Sequence, residues 1–256
     1  MRMANDYSRL ASVAIRATIG RRSQQEDAAR GSVIALANGR KALLVVLADG
    51  MGGAVGGEVA SACAVDAFAV FMATSREPTA IRLGGALDAA NAAIAGRVAA
   101  DPRLAGMGTT LIGVVVDGSR VDWVSVGDSL LLSAGQRGIV RFNADHSVGG
   151  MLDEQLARGE ITAADAARGR RHLLRSALTG DPISMIDTGD TMLSEGDRLV
   201  LASDGILTLD LAELADLVLG APTIGEAAEH AVEAIDALDV AHQDNMTIAV
   251  VVTGAS

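Results

Sequence analysis

The feature that most constrains this chain is an apolar run that ends on an acid. Residues 42–48 read ALLVVLA and lead directly into Asp49-Gly50. A short apolar run bounded by a turn pair suits a buried strand. The arrangement recurs. Asp128 follows VDWVSVG, Asp204 follows DRLVLAS and precedes Gly205, and Asp244 stands just before MTIAVVV at 246–252. Glu26 and Asp27 lie a few residues beyond a strand expected at 11–19. Strand ends at one edge of a sheet can converge, and carboxylates brought together there need positive charge. Two such charges ~4 Å apart repel by about 4 kcal/mol at an effective dielectric of about 20. Lys and Arg are scarce around Asp49, Asp204 and Asp244. Hard divalent cations are the natural partners, because Mg²⁺ and Mn²⁺ prefer carboxylate, carbonyl and water oxygens. Asp-Gly is also an ordinary turn pair, and Asp117-Gly118 is read as a turn alone. Any one of these acids has that plain explanation; their recurrence at strand ends points to a site.

Strands are expected over 11–19, 42–48, 109–116, 120–127, 129–134, 138–143, 185–193, 197–202 and 246–252, and helices over 55–73, 79–100, 148–159, 162–176, 210–219 and 223–237. Gly and Asp-Gly at hairpin spacing favour antiparallel sheets with helices packed outside. The helix pair within 55–100 would cover one sheet and the C-terminal pair the other. The result is a layered α+β sandwich, read as one domain over residues 1–256.

Composition narrows the function. The net charge of −11 is poorly suited to neutralising nucleic-acid phosphates, and an aromatic content of 2% leaves little for base stacking. The single Cys63 excludes a disulfide framework and a Cys-based zinc site. His146, His172, His230 and His242 show no metal or triad spacing, and no G-x-S-x-G elbow occurs. The N-terminus, MRMANDYSRL, has no apolar leader segment, and the run at 42–48 falls far short of the roughly 20 residues that span a bilayer. A soluble, reducing, cytoplasmic setting is the expectation.

Two further segments bear on chemistry. Residues 50–57, GMGGAVGG, fail the dinucleotide pattern at Val55 and the P-loop pattern at Glu58 and Val59. Their glycines let the backbone approach a ligand and turn into a helix. Arg21 and Arg22 precede Glu26 and Asp27. An Arg pair is commonly a solvated surface feature, but beside a cation site it becomes an oxyanion clamp.

The motif order resembles the metal-dependent protein phosphatases of type 2C. The matching segments are RSQQED (Arg22 to Asp27), DGMGG (Asp49 to Gly53), GTT (Gly108 to Thr110), GDSL (Gly127 to Leu130), DHS (Asp145 to Ser147), LLRSALTG (Leu173 to Gly180), SDG (Ser203 to Gly205) and Asp244-Asn245. They span about residues 10–252. The resemblance implies a four-layer αββα fold, two antiparallel β-sheets flanked by helix pairs, and a core of two Mn²⁺ or Mg²⁺ ions. By position, Asp49 bridges the metals and the Gly50 carbonyl contributes. Asp204 and Asp244 are ligands, and Glu26 acts through water. Asp128 serves a third, weaker metal site shared with Asp204. Arg22 clamps phosphate, with Asp27 and Asn245 in support.

The implied reaction is hydrolysis of phosphoserine and phosphothreonine in proteins by water, without a phospho-enzyme. The implied partners are phosphoproteins made by a separately encoded Ser/Thr kinase, and the chain is expected to act as a monomer. Many family members carry His, as general acid, where this chain has Met51. Met cannot donate a proton, so protonation of the leaving group falls to water or another group. Bacterial relatives share Met there, which points to a bacterial-type enzyme. Leu130 replaces an Arg, and Arg175-Ser176 alters the T-R-A-L-G element. Segment 148–180 corresponds to a mobile flap near the substrate, or reads simply as a solvated helix pair. Two other functions stay open on the sequence alone: a catalytically inactive module that binds phosphoproteins, and a small-molecule phosphatase on the same core.

Overall fold

Strand β3 (Lys41–Met51) shows how the layers arise. Its side chains alternate between two cores: Leu44, Val46 and Ala48 face one, Leu43, Val45 and Leu47 the other, and all six are buried. A strand apolar on both faces needs cover on both. The computed structural model, which describes residues 10–168 and 170–254, supplies it with a sheet on one side and helices on the other. The reading of the first nine residues lies outside the described residues.

One antiparallel sheet runs β1 (Ser12–Thr18), β11 (Met246–Val252), β10 (Arg198–Ala202), β7 (Leu130–Gly135) and β8 (Gly138–Arg141). The other runs β2 (Asp27–Ala35), β3, β5 (Leu111–Asp117), β6 (Arg120–Val126) and β9 (Asp187–Met192), with the short β4 (Gly108–Thr109) pairing the end of β3. Helices α1 (Gly53–Thr74) and α2 (Thr79–Ala100) cover the β3 sheet. Helices α5 (Leu211–Gly220) and α6 (Ile224–Leu238) cover the β10–β11 sheet. Leu199, Leu201, Ala249 and Val251 meet Leu43, Val45, Ile112 and Val114 between the sheets. This is the expected αββα order.

Helix α1 is the more apolar of the pair. Over Gly56–Thr74 it is long and apolar enough to cross a membrane by length and composition, with a mean hydropathy of 1.4. Here that face is used internally: Ala60, Ala64, Phe68 and Met72 are buried against the sheet. Gly113 on β5 makes room for it, since a Cβ there would lie 2.2 Å from the Phe68 ring.

Two expectations are corrected. Segment 27–35, not expected to be a strand, is β2, pairing with β3 over nine residues from Asp27↔Asp49 to Ala35↔Lys41. Its DAARGSVIA sequence has little β propensity, and the pairing with β3 overrides it. Segment 162–176, expected as one helix, forms only the four-residue α4 (Ala163–Ala166) behind a Thr162/Asp165 capping box. Beyond it the backbone bonds across to the start of α3 (Val148–Ala157): Val148 N–H donates to Leu173 O at 2.8 Å, Gly149 N–H to Arg171 O at 2.8 Å, and Arg175 N–H to His146 O at 2.7 Å. Those bonds hold residues 171–175 out of a helix.

Arg82 is the largest fully buried side chain. Its guanidinium donates to Ala35 O at the end of β2 at 2.9 Å and to Met72 O near the end of α1. It therefore ties α2 to both elements. Truncation would leave those acceptors unpaired and open a cavity. Arg82→Ala is expected to lower stability by about 2 kcal/mol or more, read from the urea midpoint. An unchanged midpoint would show that the tie is dispensable.

Candidate active site

The register of β2 on β3 sets Asp27 directly opposite Asp49. Asp49 is then fixed by Thr109, which ends β4, and by Thr110 just after it. Its N–H donates to Thr110 Oγ1 at 2.9 Å, and its carbonyl accepts from Thr110 N at 2.9 Å and Thr109 Oγ1 at 2.8 Å. Thr110 Oγ1 lies 2.8 Å from Ser129 Oγ in the β6–β7 turn that carries Asp128. Asp204 leaves the end of β10, after Ser203. Ser203 Oγ donates to Asp27 Oδ2 at 2.7 Å and accepts from Thr247 N at 2.9 Å. Three strand ends are thereby joined by side chains.

Asn245 positions the loop before β2. Its Oδ1 accepts from Glu26 N at 2.8 Å, while its Nδ2 donates to Ile19 O at 2.9 Å and Gln24 O at 3.0 Å. Glu26 and Arg22 are presented by this clamped loop. Arg22 Nη2 donates to Asp244 Oδ2 at 2.5 Å. Arg21 points elsewhere, pairing with Asp239. Glycine is required at two close approaches: a Cβ on Gly50 would lie 2.1 Å from Gly57 O, and one on Gly57 2.6 Å from Glu26 Oε1.

A second ring of polar residues holds the Asp128 turn. Arg141 Nη2 donates to Asp128 O at 2.9 Å, and Asn143 Nδ2 to Ser129 O at 2.9 Å. Gly127 N–H donates to His146 Nδ1 at 3.2 Å. Burial pushes the His146 pKa down, which suits an acceptor nitrogen. Ser147 caps α3 by accepting from Gly150 N at 3.0 Å.

These elements enclose a cavity of about 640 Å³ lined by Arg22, Glu26, Asp49, Gly50, Met51, Asp128, Asp204, Asp244 and Asn245, with His172, Leu173 and Leu174 contributed by segment 148–180. Asp27 does not line it; this carboxyl lies behind, and its Oδ1 is buried without a partner. Five carboxylates thus face one permanent cation, Arg22, among the described lining residues. The pKa directions follow. Burial, then the charges of Asp27 and Asp204, raise Asp49 well above the usual range. Burial raises Asp128 to about 7 and Asp27 to about 6, with Asp204 adding to both. Burial and Asp244 raise Asp204, opposed by a hydrogen bond with Asp49. Burial raises Glu26 despite Arg22. Among the described residues no three of these acids already close on one point as metal ligands do. They surround the space instead, as mutually repelling charges with one Arg between them should.

The family model for protein phosphatase 2C matches residues 16–233. The chain belongs to the protein phosphatase 2C family. The serine/threonine protein phosphatase PstP of Mycobacterium tuberculosis is 36% identical over 216 residues, covering 82% of this chain and 40% of that protein. The chain therefore spans less than half the length of this curated relative. The serine/threonine phosphatase stp of Listeria innocua is 32% identical over 224 residues, covering 84% of this chain and 86% of that protein. The solved catalytic domain of PstP, in complex with two manganese ions, aligns with a TM-score of 0.76 at 30% identity over 94% of this chain and 97% of that one.

Within this family member, sequence reasoning brought together Arg22, Glu26, Asp49, Gly50, Asp128, Asp204 and Asp244, and the structure places all seven around one cavity. It did not single out Thr110, Ser203, Arg141, Asn143 or His172. The GTT and SDG segments contain Thr110 and Ser203, but only the fold shows what the two hydroxyls hold.

With no cation bound, the acids make folding pH-dependent. A carboxyl with a raised folded pKa holds its proton more tightly when folded, so it favours the folded state at low pH. For Asp128 this contribution is complete below its ordinary value of 3.8 and is lost as pH rises through about 7. In EDTA, the stability of wild type relative to Asp128→Asn is expected to fall steadily between about pH 4 and about pH 7, measured by thermal midpoints. A difference constant across that range would overturn the assignment of a raised Asp128.

Proposed function

We propose that this chain hydrolyses phosphoserine and phosphothreonine in proteins with the help of bound Mn²⁺ or Mg²⁺. The observation that carries the reading is the set of carboxylates gathered from separate strand ends around one cavity with a single Arg. Every acid there is a hard oxygen donor, the class these cations take. The raised pKa values mark an unmet need for positive charge. The family and the two manganese ions in the PstP catalytic domain support the same reading.

On this proposal the Asp49, Asp204, Asp244 and Glu26 carboxylates and the Gly50 carbonyl would hold two cations, and Asp128 with Asp204 would serve a third. When bound, the cations lower the pKa of water and offset charge on phosphoryl oxygens. The chain's own residues do the rest. Thr109 and Thr110 lock the Asp49 backbone, so its carboxylate does not recoil from its neighbours. Asn245 fixes the loop that presents Glu26 and Arg22. Asp27, held by Ser203, backs Asp49 across the β2–β3 pair. Arg22 presents a planar fork to two phosphoryl oxygens, exchanging Asp244 for substrate. Charges held in place beforehand need no reorganisation as the transition state forms. The attacking group is water, and no phospho-enzyme forms. Met51 lines the cavity without a transferable proton.

The test is phosphate release from phosphothreonine, phosphoserine and phosphotyrosine peptides and from free phosphometabolites, in Mn²⁺ and in EDTA. Release from the Ser and Thr peptides that stops in EDTA is expected. Asp49→Asn and Asp204→Asn should each lower kcat by about 10²-fold or more with the circular dichroism spectrum unchanged. Full activity in either variant would remove the metal assignment. Faster turnover of phosphometabolites would shift the substrate class, and tight peptide binding without turnover would favour an inactive binding module. Arg22→Ala should lower kcat/KM by about 10²-fold; an unchanged value would release Arg22 from the clamp role.

A further inference from the structure

Hydrolysis of an alkyl phosphate ends with a strongly basic alkoxide leaving phosphorus, and Met51 leaves the cavity without a donor at its own position. We infer that His172 is the general acid of this site, an assignment that rests on the phosphatase reading above. The argument is one of chemistry and placement. Among the described residues lining the cavity, Arg22 does not release its proton, and Ser23, Gln24, Thr110 and Asn245 are too weakly acidic. Glu26, Asp49, Asp128, Asp204 and Asp244 are assigned to the cations, where they act as anions. His172 remains, and histidine is the side chain suited to giving and regaining a proton near neutral pH.

Its placement supports the role. His172 lines the same cavity as Asp49, Met51 and Arg22 but arrives from the flap segment, not from a strand end. The backbone on both sides of it is pinned to the start of α3: Gly149 N–H to Arg171 O, Val148 N–H to Leu173 O, and the Ser147↔Leu174 bridge. Arg171 is further held by Asp153 at 2.5 Å and by donation to Ala166 O at 2.8 Å. The position of residue 172 is therefore set even though its side chain is exposed at the cavity lip. In the reaction, a water oxygen bonds to phosphorus as the bond from phosphorus to the alkyl oxygen breaks. The protonated His172 ring gives its N–H proton to that departing oxygen. The products are an alcohol and inorganic phosphate, and solvent returns the proton to the ring.

A general acid matters in proportion to how badly the leaving group needs a proton. The experiment compares wild type with His172→Gln and His172→Ala in Mn²⁺ on p-nitrophenyl phosphate, phenyl phosphate and a phosphothreonine peptide. The nitrophenolate leaves readily unprotonated, while phenolate and alkoxide are progressively more basic. The loss in kcat is expected to grow along that series, reaching about 10²-fold on the peptide. Added imidazole should restore part of the His172→Ala rate on phenyl phosphate. An equal loss on all three substrates would make His172 a positioning residue, and no loss on the peptide would remove it from catalysis; either result overturns the inference while the phosphatase reading stands. A wild-type chain that turns over none of the three would fail that reading and this inference together.

Discussion

Mutual repulsion among buried carboxylates is the constraint on which the rest of this structure turns. Asp49, Asp128, Asp204, Asp244 and Glu26 share one cavity with a single Arg. Left to themselves, such groups would swing into solvent. They are prevented from doing so because each backbone is held by a different partner: Asp49 by Thr109 and Thr110, the Asp128 turn by Arg141 and His146, Glu26 by Asn245. The frame thus opposes the charge, and burial together with the neighbouring acids raises the pKa values of Asp49, Asp128 and Asp204.

That frame is set by apolar alternation. A strand slipped by one residue turns every side chain to its other face. Leu43, Val45 and Leu47 belong to the core between the sheets and Leu44, Val46 and Ala48 to the core under α1 and α2, and each set meets a different partner surface. The register that satisfies both sets is the one that pairs Asp27 with Asp49. On β11, Met246, Ile248 and Val250 face α5 and α6 while Ala249 and Val251 face the opposite sheet, and this fixes where Asp244 and Asn245 emerge. Three hydrophobic cores stacked in layers determine the positions of charges that none of them contains.

The same logic explains what could be read from the sequence. β3, β10 and β11 are legible because both their faces are buried, leaving continuous apolar runs that stop at the acids. β2 is not, because an edge strand with little apolar content is defined by its neighbour. The stretch 171–175 has residues that tolerate a helix, and its non-helical path is imposed by backbone bonds to 146–149 that no local pattern announces. The acids of the site were legible as strand terminators. The hydroxyls and amides that hold them were not, since Thr110, Ser203 and Asn143 are unremarkable until their partners from distant strands are known.

Because the acids lie beyond the ends of the three cores, their chemistry and the stability of the fold are largely separate. Loss of Phe68 or Leu44 would empty a packed interior and cost several kcal/mol. Loss of one cavity carboxylate relieves repulsion and leaves packing intact. The site is therefore strained in the direction of its ligands: whatever positive charge enters is favoured by the very interactions that oppose folding in its absence. The Arg22–Asp244 pair, with both side chains about half exposed, is the internal substitute for that charge. Its exposure keeps it weak. A weak pair is easily exchanged, which is what the proposed role of Arg22 as an oxyanion clamp requires.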